Sequence, residues 1–116
     1  MTLAVIVAAR NEADRIADTV GALRRAFPDA PIWVADDASE DGTAERALVA
    51  GAQVVSRGRP HGKGANVSAA AEAALSAAPA PDLFLLCDGD LGASAAALAP
   101  LVAAVEAGEC DLAVAA

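Results

Sequence analysis

Two aspartates close an apolar run in the segment FLLCDGDLG, and their spacing suits a divalent metal site. Asp88 and Asp90 end a stretch typical of a buried strand, where side chains two residues apart point to the same side. Two carboxylates with open coordination positions suit Mg²⁺ or Mn²⁺ shared with phosphates of a ligand. We expect Gly89 to let that ligand approach the backbone. Carboxylates after a strand also serve as turn or helix-cap residues, so the pair alone leaves both interpretations open.

A second acidic pair, Asp36 and Asp37, follows the apolar run IWVA. Adjacent carboxylates repel unless a cation or a donor-rich ligand lies between them, and one of them can accept a hydrogen bond from a nucleobase N–H or a ribose hydroxyl. The structural alternative is capping. For Ser39, Asp41 and Thr43 we favour that alternative, with their oxygens accepting from free N–H groups of the next helix.

Two further polar segments follow predicted strands. In AARNEAD, Asn11 is a good N-cap, while Glu12 suits either the first helical turn or contact with a ligand sugar. In RGRPHGKGANV, the cations Arg57, Arg59 and Lys63 stand among glycines at the start of a predicted helix. Glycines, cations and a helix N-terminus together favour an anion site, and the spacing does not match a Walker A loop.

The elements that must position these residues follow from apolar periodicity. Strands are predicted at Leu3–Ala8, Pro31–Ala35, Gln53–Ser56, Asp82–Cys87 and Asp111–Ala115, and helices at Ala13–Phe27, Thr43–Ala50, Lys63–Ala77 and Ala96–Ala107. Pro100 fits the last helix only in its first turn. This alternation predicts an α/β fold with an open, largely parallel Rossmann-like sheet and helices on both faces. Ligands of such sheets bind at the carboxyl ends of the strands, where all these polar segments lie.

Composition limits the classes of function. The chain has 116 residues, of which 56% are hydrophobic, enough for one packed domain. Its formal net charge of −8 argues against a general nucleic-acid binder. Cys87 and Cys110 are too few for a disulfide framework, and we expect two reduced, buried thiols. No leader or membrane-spanning segment is recognisable, so we expect a soluble, cytoplasmic chain.

In order, the segments ARNEAD, VADDASEDGT, GAQVVSRG, HGKGANVSAA and LFLLCDGDLG resemble the nucleotide-sugar half of GT-A glycosyltransferases of family 2. The GKG and DGDLG forms are most similar to polyprenyl-phosphate glycosyltransferases and glucosyl-3-phosphoglycerate synthase-like enzymes. The resemblance covers nearly the whole chain. It implies a transferase that uses a nucleoside-diphosphate sugar of the UDP or GDP type, with Mg²⁺ or Mn²⁺ as cofactor.

The resemblance also implies roles for single residues. Metal binding falls to Asp88 and Asp90, and the catalytic base is not identified. Contacts with the nucleotide sugar fall to Ala9, Glu12, Asp36, Asp37, Ser39, Lys63 and Asp88.

Family members continue beyond the segment that matches the predicted fifth strand. We therefore expect a single nucleotide-sugar-binding domain over residues 1–116, truncated at its C-terminus. A missing half or a partner chain would supply the acceptor site and any contact with a membrane surface. The alternatives are a non-catalytic nucleotide-binding or interaction module, or a nucleotidyltransferase, which the absence of a Gly-rich loop after the first strand disfavours.

Overall fold

A computed structural model of the protein describes residues 2–110 and residue 113. Strands and helices alternate along this part of the chain, as predicted. The elements are β1 (Leu3–Ala9), α1 (Ile16–Ala26), β2 (Ile32–Asp36), α2 (Thr43–Ala50), β3 (Gln53–Ser56), α3 (Lys63–Leu75), β4 (Leu83–Asp88), a 3₁₀ segment (Gly92–Leu98) and α4 (Ala99–Glu106). The predicted strand Asp111–Ala115 lies outside the described residues.

The four strands form one parallel sheet in the order β3-β2-β1-β4. Short apolar strands, joined by helical crossovers, favour this arrangement because parallel neighbours cannot be connected by tight turns. The structure confirms the predicted fold class. None of the helices in the described part of the chain is both long enough and apolar enough to cross a membrane.

Each face of the sheet carries its own apolar core, because successive strand residues point to opposite faces. Val5 and Val7 of β1 belong to the larger cluster, which includes Ile16, Val20 and Leu23 of α1. The alternate positions belong to the smaller cluster, which includes Ile6 of β1, Ala35 of β2 and Ala70 of α3. Helices therefore cover both faces, as the strand composition predicts.

Two helix starts differ from prediction. The first helix begins at Ile16, not Ala13, because residues 13–15 form a turn in which the N–H groups of Arg15 and Ile16 both donate to the Glu12 carbonyl. The last helix begins at Ala99, after the 3₁₀ segment. Pro100 lies in the first turn of α4, where its missing N–H costs no hydrogen bond, and this prediction is confirmed.

Candidate active site

The strand order places the polar strand ends side by side. The chain runs from β1 to β2 and β3 on one side, and β4 pairs with β1 on the other, so the direction of winding changes between β1 and β4. In the register, Asp88 pairs with Ala8 and Asp36 pairs with Ala9. Open parallel sheets bind ligands at such a switch point.

A cavity of about 190 Å³ opens at this edge. It contains four of the predicted site residues: Ala9 from β1, Asp37 after β2, Lys63 from α3 and Asp88 from β4. Its lining is Ala8, Ala9, Arg10, Ala35, Asp37, Lys63, Asn66 and Asp88. The four charged members are two cations and two carboxylates, so the cavity combines groups that can bind phosphate, metal or N–H donors.

Lys63 and Asp88 form an ion pair across the cavity. The Lys63 Nζ lies 2.5 Å from Asp88 Oδ1, and the two side chains are 66% and 54% exposed. Water therefore screens the attraction between the two charges. Replacing either partner of the ion pair by a ligand costs little free energy.

The loop that carries Asp88 and Asp90 is fixed by α1. The Thr19 hydroxyl donates to the Gly89 carbonyl at 2.8 Å and accepts from the Gly92 N–H at 2.8 Å. A Cβ at Gly89 would lie 3.2 Å from Ala9 Cβ and 3.3 Å from the Ala8 carbonyl oxygen. The expectation that Gly89 leaves room for a ligand is therefore wrong, since the protein's own β1 occupies that side.

Asp37 is bonded both by the loop before α3 and by α3 itself. Its Oδ1 accepts from the His61 N–H at 2.8 Å and from Asn66 Nδ2 at 2.6 Å, and its Oδ2 lies 3.8 Å from an Arg10 guanidinium nitrogen. The His61 N–H, above all, and the Asn66 amide hold the pKa of Asp37 below its usual value of 3.8, against the effect of burial. Asp37 is therefore a carboxylate at neutral pH.

Asp36 has a different environment from its neighbour. It is only 1% exposed, and it accepts hydrogen bonds from the Ser39 hydroxyl and from the Ser56 hydroxyl, the latter at 3.1 Å. The Ser39 hydroxyl in turn accepts from the Asn11 N–H at 2.8 Å. These bonds join the carboxyl ends of β1, β2 and β3.

The other predicted cations lie apart from Lys63. Arg57 and Arg59 line a second, neighbouring groove of about 450 Å³, together with Arg10 and Ser39. Lys63 lines the smaller cavity with Asp88 and is absent from this groove. The structure thus divides the predicted anion loop between two adjoining recesses.

The loop after β1 corrects the predicted cap. Asn11 does not cap α1; its backbone is left-handed, with φ of 52°, and its side-chain oxygen accepts from the Glu40 N–H at 3.0 Å. Asp41 accepts from the Ala13 N–H at 3.1 Å, and Thr43 accepts from the Glu12 N–H at 2.9 Å. The N–H groups of this turn are therefore satisfied from the β2–α2 loop, not by Asn11.

The capping prediction holds for Asp41, which also accepts from the N–H of Thr43, the first residue of α2, at 3.1 Å. Ser39 and Thr43 bond instead to N–H groups of the loop after β1. Glu12 is half-buried and four residues ahead of α1, so it is not in the first turn. It lines neither recess.

Asp88 and Asp90 are both exposed at the end of β4 and supply hard oxygen donors. Within residues 2–110 and 113, no cluster of three or more potential ligands surrounds them. This donor set fits Mg²⁺ or Mn²⁺ whose remaining positions go to phosphate oxygens and water. Cys87 adds no thiolate, because burial, and next the Asp88 charge, raise its pKa to about 12. Cys87 and Cys110 are both free and half-buried.

Asn66 is a site residue that the motif spacing does not predict. It lies on α3 in the buried stripe Asn66, Ala70 and Ala74, three residues after Lys63, and is 2% exposed. An asparagine that interrupts an otherwise alanine stripe at helical spacing is the signal that could have found it, since a buried amide requires partners. Arg10 is identifiable from the sequence only as a strand-end residue.

Comparisons with known proteins agree with this geometry. The family model described as glycosyl transferase family 2 matches residues 4–116. No curated protein matches the chain. Among solved structures, Mycobacterium tuberculosis glucosyl-3-phosphoglycerate synthase is 29% identical with a TM-score of 0.76, and the match covers 93% of this chain and 41% of that one.

A second structure of that synthase holds Mn²⁺, uridine-diphosphate-glucose and phosphoglyceric acid; it is 28% identical, with a TM-score of 0.76, and the match covers 93% of this chain and 40% of that one. Mannosyl-3-phosphoglycerate synthase from Rubrobacter xylanophilus is 34% identical with a TM-score of 0.61, over 78% of this chain and 31% of that one. The chain thus spans about two fifths or less of these relatives' lengths. Together with the parallel sheet and its clustered strand ends, the family match shows that this chain belongs to glycosyltransferase family 2.

Proposed function

We propose that the chain is the donor-binding part of a metal-dependent glycosyltransferase that uses a nucleoside-diphosphate sugar. The observation that supports this most is the 190 Å³ cavity in which Asp37, Lys63 and Asp88 meet at the switch point of the sheet. A nucleotide sugar needs a base contact, a cation for its phosphates and a metal-binding carboxylate, and these three residues provide one of each.

Asp88 and Asp90 would hold Mg²⁺ or Mn²⁺. When bound, the metal neutralises negative charge that develops on the leaving diphosphate. Lys63 leaves Asp88 and donates to a phosphate oxygen, which is a charge-assisted hydrogen bond. Arg57 and Arg59, in the adjoining groove, add positive potential on the same side of the sheet.

For the nucleoside, we assign the base contact to Asp37. Asp36 is 1% exposed and accepts from two serine hydroxyls, so it supports the loop that presents Asp37 and Ser39. Ala9 forms part of the cavity floor. Glu12, half-buried in the loop after β1, is assigned to the ribose through the family resemblance.

The acceptor pocket and the base that deprotonates the acceptor are assigned to further polypeptide, on the same chain or on a partner. The matched structures are more than twice as long as this chain, which leaves room for these functions. The chain alone is then expected to bind the donor and to turn it over slowly or not at all.

Thermal denaturation with UDP, GDP and their sugars, each with and without Mn²⁺, tests the proposal. We expect a rise in Tm that requires both nucleotide and metal, since a ligand that binds only the folded chain stabilises it. The rise should disappear in Asp90→Asn. The control is Asp82→Asn, which changes an exposed aspartate just before the amino end of β4, away from the proposed metal site, and should retain the rise. No shift with any of these nucleotides would refute donor binding.

A further inference from the structure

The Asn66 amide has a fixed orientation. Its Nδ2 donates to Asp37 Oδ1 at 2.6 Å and to the Gly62 carbonyl at 2.8 Å. Both neighbours are acceptors at neutral pH, so the nitrogen, and not the oxygen, must face them. The Asn66 Oδ1 is buried and has no hydrogen-bond partner among the described residues. Because an unpaired buried oxygen is unfavourable, the two bonds that the Asn66 nitrogen donates must account for the presence of an amide at this buried position.

The two oxygens of Asp37 are consequently unequal. Oδ1 receives two N–H groups, one from His61 in the loop before α3 and one from the side chain of Asn66 in the first turn of α3. Oδ2 has Arg10 at 3.8 Å, which is beyond hydrogen-bond distance. Since Asp37 and Arg10 both line the cavity, Oδ2 is the oxygen left to accept from a ligand.

We propose that Asn66 is a positioning residue that sets the rotamer of Asp37, so that Oδ2 is held toward an N–H donor of the bound nucleobase. The inference rests on the proposed function and adds to it how the base contact is oriented. It also gives Asn66 a part in specificity: a ligand without an N–H or O–H donor at this position leaves a buried carboxylate oxygen unpaired.

Titratable and charged groups near Asp37 come from several elements of the fold. Arg10 follows β1, Asp36 ends β2, His61 lies in the loop before α3, Lys63 begins α3, and Asp88 ends β4. In the native chain the His61 N–H and the Asn66 amide hold the pKa of Asp37 below its usual 3.8, so Asp37 itself adds no pH dependence to nucleotide binding between pH 7 and about pH 4.5. The terminal phosphate of the nucleotide takes up a proton near about pH 6, so each variant is compared with the native chain at the same pH.

The deciding variant is Asn66→Asp. It places a second carboxyl group against Asp37. The pair shares one proton in acid and loses it toward neutral pH, where two adjacent negative charges repel. At pH 7 we expect UDP or GDP affinity, measured by calorimetry with Mn²⁺, to fall about tenfold or more. As the pH drops toward about 5, the protonated group donates to Asp37 again, and the affinity of the variant should approach that of the native chain at the same pH.

Two further variants complete the test. Asn66→Leu, of similar volume and without a donor, should lose affinity at every pH. Ser68→Asp adds the same negative charge at an exposed position of α3 and should behave like the native chain. Circular dichroism at each pH checks folding. If Asn66→Leu does not fold, the change in nucleotide affinity of Asn66→Asp between pH 7 and about pH 5 decides the test.

Loss at pH 7 with recovery on acidification supports the inference. Native-like affinity in both Asn66 variants, or a pH profile of Asn66→Asp parallel to that of the native chain, would overturn it and leave donor binding intact. A native chain that binds neither nucleotide refutes the proposed function and this inference together.

Discussion

Replacing Lys63 by methionine should move two affinities in opposite directions. In the structure Lys63 Nζ pairs with Asp88 Oδ1, so an incoming cation must compete with the ammonium group for that carboxylate. In the proposed function the same ammonium group then donates to the diphosphate. The substitution keeps an unbranched, apolar side chain of nearly the same length and removes the ammonium group with its charge and its hydrogen-bond donors.

The exposure of the pair sets the first magnitude. With side chains 66% and 54% exposed, the ion pair is worth about 0.2–1 kcal/mol. Removing this competition should strengthen Mn²⁺ binding to the free chain by about 1.4-fold to about fivefold. The loss of a charge-assisted hydrogen bond, about 1.5–3 kcal/mol, should weaken UDP or GDP binding in saturating Mn²⁺ by about 10- to 150-fold.

Isothermal titration with Mn²⁺ alone, and then with nucleotide at saturating Mn²⁺, measures both quantities in one preparation. The control is Arg25→Met, which removes the same charge from an exposed position in the last turn of α1. A Mn²⁺ affinity that falls in Lys63→Met, or a nucleotide affinity that is unchanged, would show that Lys63 does not exchange Asp88 for phosphate.

Three other substitutions test how the site is supported. Gly89→Ala should lower the free energy of unfolding by about 1–3 kcal/mol, because the added methyl group meets β1 and α1 at 3.2–3.3 Å. The control is Gly64→Ala, whose methyl group meets nothing within 4 Å and should leave the free energy of unfolding unchanged or raise it by up to about 1 kcal/mol. Equal effects of the two substitutions in urea unfolding would contradict this account. Asp36→Ala should cost about 1–3 kcal/mol or more, since it leaves two serine hydroxyls without their acceptor; a loss below about 0.5 kcal/mol would mean that the network does not support the fold. The Thr43 hydroxyl, first among several donors, lowers the pKa of Asp41 below 3.8. The ionised Asp41 therefore stabilises the fold above pH 3.8, and this stabilisation is lost as the pH falls through the pKa of Asp41 in the folded chain. Asp41→Asn should therefore flatten the acid limb of the stability curve, and parallel urea midpoints of variant and native chain down to about pH 2.5 would contradict this.

Much of the fold follows from local sequence patterns. Short apolar runs ending in polar residues predict the parallel strands, and α2 and β3 begin and end where predicted. The start of α1 is different in kind. Its preceding turn is capped by Asp41 and Thr43, which are distant in sequence, and such a tertiary contact leaves no local signal around Asn11.

The sequence predicts which edge of the sheet carries the candidate site, but not which residues meet in the cavity. Which strand ends adjoin depends on the order β3-β2-β1-β4, a global property that residue spacing does not contain. The distinction between Asp36 and Asp37 has the same origin. Alternation places Asp37 on the side of Ala35, which α3 covers, but only the packed structure shows which face receives α3.

The charges that line the cavity nearly cancel, whereas the whole chain carries −8. In the proposed function, a nucleoside diphosphate approaching from solution therefore meets repulsion at long range before it reaches Lys63 and Arg10. Salt screens charges separated by more than about 8–10 Å at physiological ionic strength, so the association rate of metal-free nucleotide should rise with added salt. Nucleotide already loaded with a divalent cation carries less negative charge, and its association should depend far less on ionic strength.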